Sequence, residues 1–257
     1  MAEGDTIHRL ARRLGAELAA SIDTAEAPAP DSPLRRQPQR LERLAGSRIE
    51  EARAHGKHLL VRFDAGLVLH SHLGMSGRWE LATPRAGWRR PARAARLLLA
   101  AGAAEAAQFG GTTLALRTES ELRADRRLAA LGPDVLAAGL TPEAAAASVR
   151  RRGADATLGE ALLDQTRIAG IGNIFKSESC FAAGIDPWRR LADLGDDELT
   201  GVLAAARELM GAAVDTGRQP RRIYRRAGAC PSCGGRIRSR GQGDANRTTY
   251  WCPSCQR

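Results

Sequence analysis

Three observations predict an α+β fold in which strands and helices occupy separate stretches of the chain. Short alternating apolar and polar runs fill the first half of the 257 residues, helical spacing takes over after residue 131, and two Cys-x-x-Cys pairs lie near the C-terminus. A helix opens the chain, because Ile7, Leu10, Ala11, Leu14 and Leu18 recur at helical spacing behind Asp5 and Thr6 as capping residues. Pro28, Pro30, Pro33 and Pro38 then interrupt regular structure. Arg48 to Arg53, His58 to Phe63, Leu67 to Leu73, Arg96 to Ala100 and Thr113 to Arg117 read as strands between glycine-containing turns, enough for a sandwich or a barrel.

Leu131-Gly132-Pro133 marks a boundary, after which Pro142 to Val149, Leu158 to Gln165, Ile174 to Ala183 and Asp196 to Val214 read as helices. Thr157 and Glu160 have capping-box spacing, Asn173 stands as an N-cap after Gly170-Ile171-Gly172, and Gly184 is placed for a left-handed C-cap. Two helices joined by a glycine turn are the hairpin used by many DNA-binding domains. The expected division is 1–130, 131–222 and 223–257.

Charge points to the partner. The net charge is +10, but residues 218–257 hold ten arginines against the single acid Asp244, whereas the first 217 residues hold 29 bases and 28 acids. A near-neutral body with a +9 tail suits a polyanion, and nucleic acid in particular. The longest apolar stretch, Leu97 to Ala107, is too short to span a bilayer, so no membrane role is expected. The acidic opening lacks an apolar signal core, which predicts a cytoplasmic, nucleoid-associated protein. Only Lys57 and Lys176 among the 39 bases are lysines, and both stand out because arginine serves everywhere else.

Cys230, Cys233, Cys252 and Cys255 form two pairs separated by 18 residues. Four thiolates at this spacing close a tetrahedral zinc site and leave no open position, so the metal is structural; the competing reading of two disulfides needs an oxidising compartment. Arg236, Arg238, Arg240 and Arg247 lie between the pairs and suit phosphate contacts. Cys180 sits in an apolar helical run and reads as an inert buried thiol. His70 and His72 share a strand face but have no third ligand in range, which favours hydrogen-bonded structural roles over a metal pair. No Ser-His-Asp or phosphate-loop signature is present.

Several separated segments, taken together, resemble the formamidopyrimidine-DNA glycosylase and endonuclease VIII family. They are Met1 to Ile7, Gly56-Lys57-His58-Leu59-Leu60, His72-Leu73-Gly74-Met75-Ser76-Gly77, Leu162 to Gln165 with Gly170-Ile171-Gly172-Asn173-Ile174-Phe175, and Arg247 to Gln256. The resemblance runs in the family's order along the whole chain. It implies an N-terminal helix with a two-layer β-sandwich, a helix-two-turn-helix domain and a zinc β-hairpin. It further implies a monomer that excises oxidised bases from double-stranded DNA and cleaves at the abasic site. An N-terminal amine does this through a Schiff base and β-elimination.

By the same resemblance Glu3 is the acid/base, and Lys57, counted with Ala2 and Glu3 among the catalytic residues, contacts DNA beside the lesion. Met75 fills the gap left by an everted base, and Asn173 and Arg247 hold the flanking phosphates. Arg226, ending a basic strand expected around Arg221 to Arg226, is assigned a DNA contact as well. The family's N-terminal proline is replaced here by Ala2, the largest departure. Removal of Met1 would expose a primary amine in its place; the alternative is a binding protein that lost the lyase with the proline. Glu3 to Thr6 resembles the endonuclease VIII branch, which favours oxidised pyrimidines, and the short connection from Asp215 to Ile223 agrees. His72 to Gly77 resembles the purine-directed branch instead.

Overall fold

A computed structural model describes residues 2–82, 87–226 and 228–257. Met1 of the opening motif lies outside them. Contacts divide the chain into two units, Ala2 with Thr6–Ala129 and Glu3–Asp5 with Ala130–Arg257.

The first unit carries α1 (Gly4–Glu17), β1 (Thr24–Glu26), α2 (Pro38–Glu42), β2 (Ile49–His55), β3 (His58–Phe63), β4 (Leu67–His72), β5 (Arg78–Ala82), β6 (Leu97–Ala101), β7 (Ala104–Phe109), β8 (Thr113–Arg117), α3 (Glu119–Arg123) and α4 (Arg126–Ala129). Two antiparallel sheets form, ordered β1-β6-β7-β5 and β2-β3-β4-β8. Alternation decides the core: Leu59, Val61 and Phe63 of β3 point to one face with Leu67 and Leu69 of β4, and meet Leu97 and Leu99 of β6 and Ile7, Leu10 and Leu14 of α1. Leu60 and Val68, on the opposite face, pack with Leu122 of α3. The architecture is therefore a two-layer sandwich with a helix contributing to its core.

Three details differ from the sequence reading. Helix α1 starts at Gly4, so Asp5 and Thr6 lie inside its first turn and do not cap it. The stretch Leu97 to Ala107 is a hairpin: Gly102, at φ +57, turns the chain, and Ala101 pairs with Ala104. Strand β7 was hidden because alanine is a poor strand former, and its pairing with β5 and β6 decides its conformation. Strand β5 was hidden by its brevity and its charged residues, Arg78 and Glu80.

The second unit carries α5 (Pro142–Arg150), α6 (Leu158–Leu163), α7 (Asn173–Ala183), α8 (Asp196–Thr216), β9 (Arg238–Gln242) and β10 (Arg247–Trp251). Its core joins Val149, Leu158, Leu162, Phe175, Leu199, Leu203 and Met210. No helix among the described residues is long and apolar enough to cross a membrane. Helix α6 ends at Leu163, two residues before the expected end, because Asp164 leaves the helical region at ψ 100. The Gln165 side chain then braces the turns between α6 and α7, donating to the Leu163 and Ile171 carbonyls and accepting from the Gly170 amide. The capping-box glutamate is in place, Glu160 accepting from the Thr157 amide at 2.9 Å. Gly184 closes α7 at φ +73. The basic stretch Arg221 to Arg226 is not a strand; it bends around the buried Glu178 carboxylate, which accepts from the amides of Arg222, Ile223 and Tyr224.

Candidate functional site

In the sandwich unit, three of the expected residues stand at turns or at the chain start. Ala2 is half-buried against the core and lines a cleft of about 250 Å³ with Thr6, Arg9, Arg13, Arg78 and Trp79. Lys57 occupies the two-residue turn between β2 and β3, made possible by Gly56 at φ +56 and closed by the His55–His58 pair. Met75 is 69% exposed in the turn between β4 and β5, and no other large apolar side chain among the described residues is exposed. Within the turn Gly77 donates to the Leu73 carbonyl at 2.9 Å, and a Cβ at Gly74 would run into Thr112. A projecting apolar side chain on such a turn can enter a base stack.

Behind Lys57 lies a histidine group. His58 Nδ1 and His70 Nε2 share a hydrogen bond of 2.9 Å, and His72 Nδ1 bonds Thr112 Oγ1 at 2.7 Å. Burial and the neighbouring imidazoles push His58 down to about 3; burial and the Arg117 charge push His70 down to about 4. Burial, then the Lys57 charge, lowers His72 also. Burial thus favours the neutral form of these rings, which lie at the β3–β4 end next to Lys57.

In the helical unit Glu3 is fully buried. Its carboxylate accepts from the amides of Ile174 (2.8 Å), Gly172 (3.0 Å) and Phe175 (3.3 Å), so residue 3 caps the N-terminus of α7. Each charge-assisted bond contributes about 1.5–3 kcal/mol, enough together to offset the several kcal/mol that burying a carboxylate costs. The backbone is pinned beside it by Gly4 donating to the Gly170 carbonyl at 2.9 Å. Asn173 is not the cap: Gly172 holds that position and Asn173 is the first helical residue. Its Nδ2 donates to the Thr248 carbonyl at 2.8 Å, tying α7 to the β9–β10 hairpin, while its buried Oδ1 has no partner among the described residues. Arg247 opens β10 opposite Gln242. Glu3, Asn173 and Arg247 therefore gather at one end of α7. Arg226 is exposed after Tyr224, and no hydrogen bond among the described residues ties it to that group.

Gly172 is required for space, not for conformation, because its φ of −118° is open to any residue. A Cβ there would collide with the Glu3 carboxyl. Gly172→Ala is expected to displace that carboxyl and, for the base excision that the family resemblance implies, to lower the rate more than about 10-fold, at a stability cost of about 1–3 kcal/mol from overpacking. Gly201→Ala, in open space on α8, is expected to leave excision unchanged and to stabilise by about 0.5–1 kcal/mol. Single-turnover excision and thermal melts of the two variants check this contrast.

The cysteines flank the hairpin. All four Sγ atoms lie within 4.8 Å of one another, with Cys230–Cys255 at 3.8 Å and Cys233–Cys252 at 3.5 Å. A zinc tetrahedron with bonds of about 2.3 Å has edges of about 3.8 Å, so the group fits one structural zinc. The small apolar cluster beneath it, Phe181, Ile223 and Ile237 with Cys230 and Cys252, explains why a metal is needed here. Sequence reasoning missed Glu178, Gln242 and Thr249, for which spacing carries no signal. Lys176 stood out in composition but had no place.

Comparisons agree with this geometry. The sequence matches the family model described as the formamidopyrimidine-DNA glycosylase N-terminal domain over residues 1–130, and the H2TH domain of the same family over 131–224. It is 38% identical to a probable endonuclease 8 2 of Streptomyces coelicolor, covering all of this chain and 94% of that protein. It is 33% identical to endonuclease 8 1 of Mycobacterium bovis over the whole of both chains. The fold is shared with the Lactococcus lactis Fpg solved in complex with abasic-site DNA, at a TM-score of 0.82 and 23% identity with both chains fully covered. Sandwich, helix-two-turn-helix and four-cysteine hairpin define a class of DNA-repair fold. The chain belongs to the formamidopyrimidine-DNA glycosylase and endonuclease VIII family.

Proposed function

We propose that this protein is a base-excision-repair DNA glycosylase with abasic-site lyase activity, acting as a monomer on double-stranded DNA and favouring oxidised pyrimidines. The observation that carries it is Glu3, a carboxylate buried on the α7 amides and immediately following Ala2. Relatives matching the whole chain bear endonuclease 8 names, which supports the pyrimidine preference. Removal of Met1 leaves the Ala2 α-amine two residues ahead of helix α1, whose N-terminal dipole favours the neutral form. An α-amine with a pKa of about 7.7–8.0 is already roughly a tenth unprotonated at pH 7.

The neutral amine attacks C1′, the N–C1′ bond forms, and the base departs with a proton supplied through Glu3. The C1′–O4′ bond then breaks, O4′ becoming the C4′ hydroxyl with the second proton of the attacking amine, and the C1′=N imine so formed acidifies C2′. Removal of that proton expels the 3′ phosphate, and hydrolysis of the imine frees the amine. Lys57, Asn173 and Arg247 are the proposed phosphate contacts, and Met75 the residue that replaces the everted base.

The test is borohydride trapping of untagged protein on duplex DNA with an abasic site. A covalent adduct and a cleaved strand are expected. Because Ala2 replaces proline, the competing reading is a non-catalytic binder, which would show salt-sensitive binding with neither adduct nor cleavage.

A further inference from the structure

Gln242 ends β9 at 5% exposure, and both polar atoms of its side chain have partners. Oε1 accepts from Thr249 Oγ1 at 2.6 Å, while Nε2 donates to Thr157 Oγ1 at 2.8 Å and to the Pro187 carbonyl at 2.9 Å. Thr249 also accepts from Lys176 Nζ at 2.6 Å, so the same amide reaches α7 through one hydroxyl. A buried amide that uses both hydrogens and its oxygen is held in one place. The room for it comes from Gly159, whose φ is not positive but where a Cβ would fall on the Gln242 amide.

The Gly159 amide donates to the same Pro187 carbonyl at 2.9 Å, so α6 and the hairpin meet at one oxygen. The next residue, Trp188, extends that seat. Arg240 of β9 lies over its ring, 3.9 Å from the centroid, and the Trp251 ring of β10 meets it edge-on at 5.4 Å. A two-stranded ribbon does not hold its own position. The four cysteines flank its open end, whereas Gln242 and Arg247 face each other as the last pair before the turn at 243–246. Being directly opposite, the two side chains leave the same face of the ribbon, and both line a cleft of about 550 Å³ with Glu160 and Asp164.

We propose that Gln242 is the positioning residue of Arg247: its amide, plugged into the space that Gly159 leaves at the start of α6, pins the turn end of the β9–β10 hairpin and so sets where the Arg247 guanidinium stands. The cysteines fix one end of the ribbon and Gln242 the other. The phosphate role of Arg247 rests on the glycosylase reading above; the seat of the hairpin does not.

The test compares Gly159→Ala, Gln242→Ala, their double variant and Arg247→Ala in full-length protein holding zinc. Binding to abasic-site duplex is titrated across a salt series. Either single variant at the anchor is expected to bind about 10-fold more weakly, the loss of one charge-assisted contact. The log-log salt slope is expected to fall by about 0.9, the share of one phosphate, as it does in Arg247→Ala. Alanine at 159 evicts the amide that alanine at 242 removes, so the double variant should match the single ones, not add their losses. One zinc per chain is expected throughout, since no cysteine is touched. The inference is overturned if Arg247→Ala lowers the slope and neither anchor variant does, if the losses add in the double variant, or if both single variants lose zinc. Gln242→Ala decides the matter should Gly159→Ala not fold. An unchanged slope in Arg247→Ala discards the phosphate reading instead, and ¹⁹F NMR of 5-fluorotryptophan-labelled protein then judges the anchor by itself. The Trp188 and Trp251 resonances are expected to shift in both anchor variants while those of Trp79 and Trp88 stay in place. Unmoved Trp188 and Trp251 resonances overturn the inference whatever the DNA result.

Discussion

Glu3→Gln is expected to lower excision of an oxidised base by at least about 10²-fold, the usual contribution of a positioned acid or base. The glutamine is isosteric, but its nitrogen must face an α7 amide. One carboxylate oxygen now accepts from Gly172 and Phe175 and the other from Ile174, so one side of the cap becomes donor against donor. A stability loss of about 1–3 kcal/mol is expected from the amide left without an acceptor. Cleavage at a preformed abasic site should suffer less, since the aldehyde is already present and no base has to leave. Single-turnover assays on the two substrates separate these outcomes, and equal losses on both would show that the variant had simply lost its α7 cap.

Cys252→Ala is expected to release the zinc and unravel the hairpin while leaving the sandwich folded. The apolar cluster under the cysteines is too small to replace the metal, whose binding supplies about 10–16 kcal/mol in isolated structural zinc sites. With the hairpin go Arg238, Arg240 and Arg247 and the Thr248 and Thr249 contacts to α7. Losing Arg247 and releasing Asn173 from Thr248, two of the proposed phosphate contacts, at about 1.5–3 kcal/mol each predicts at least a 10²-fold weaker hold on abasic-site duplex. Zinc content, circular dichroism and binding titrations at fixed salt measure all three effects.

Much of this was legible in the sequence because it is local. The alternation of β3 reports a half-buried strand, and the spacing of four cysteines reports a tetrahedron. Gly184 reports a left-handed helix end. What escaped is what distance along the chain creates. Nothing near Asn173 says that the carboxylate capping its helix comes from residue 3, so the cap was assigned to the nearest polar side chain. Glu178 organises the arginine stretch from 44 residues away, and no pattern in Arg221 to Arg226 announces a bend. β7 is written in alanines, whose preference for a helix is overridden by two neighbouring strands. Lys176 was visible as an exception to arginine usage, but its meaning required seeing Thr249 beside it.

The central claim is that catalysis begins at the Ala2 amine, and mass-spectrometric mapping of the borohydride-trapped complex tests it most directly. The reduced sugar is expected on the N-terminal peptide, at the α-nitrogen of Ala2 with Met1 absent. A sugar found on Lys57 or Lys176, or no adduct on a protein that binds the same DNA, would contradict it.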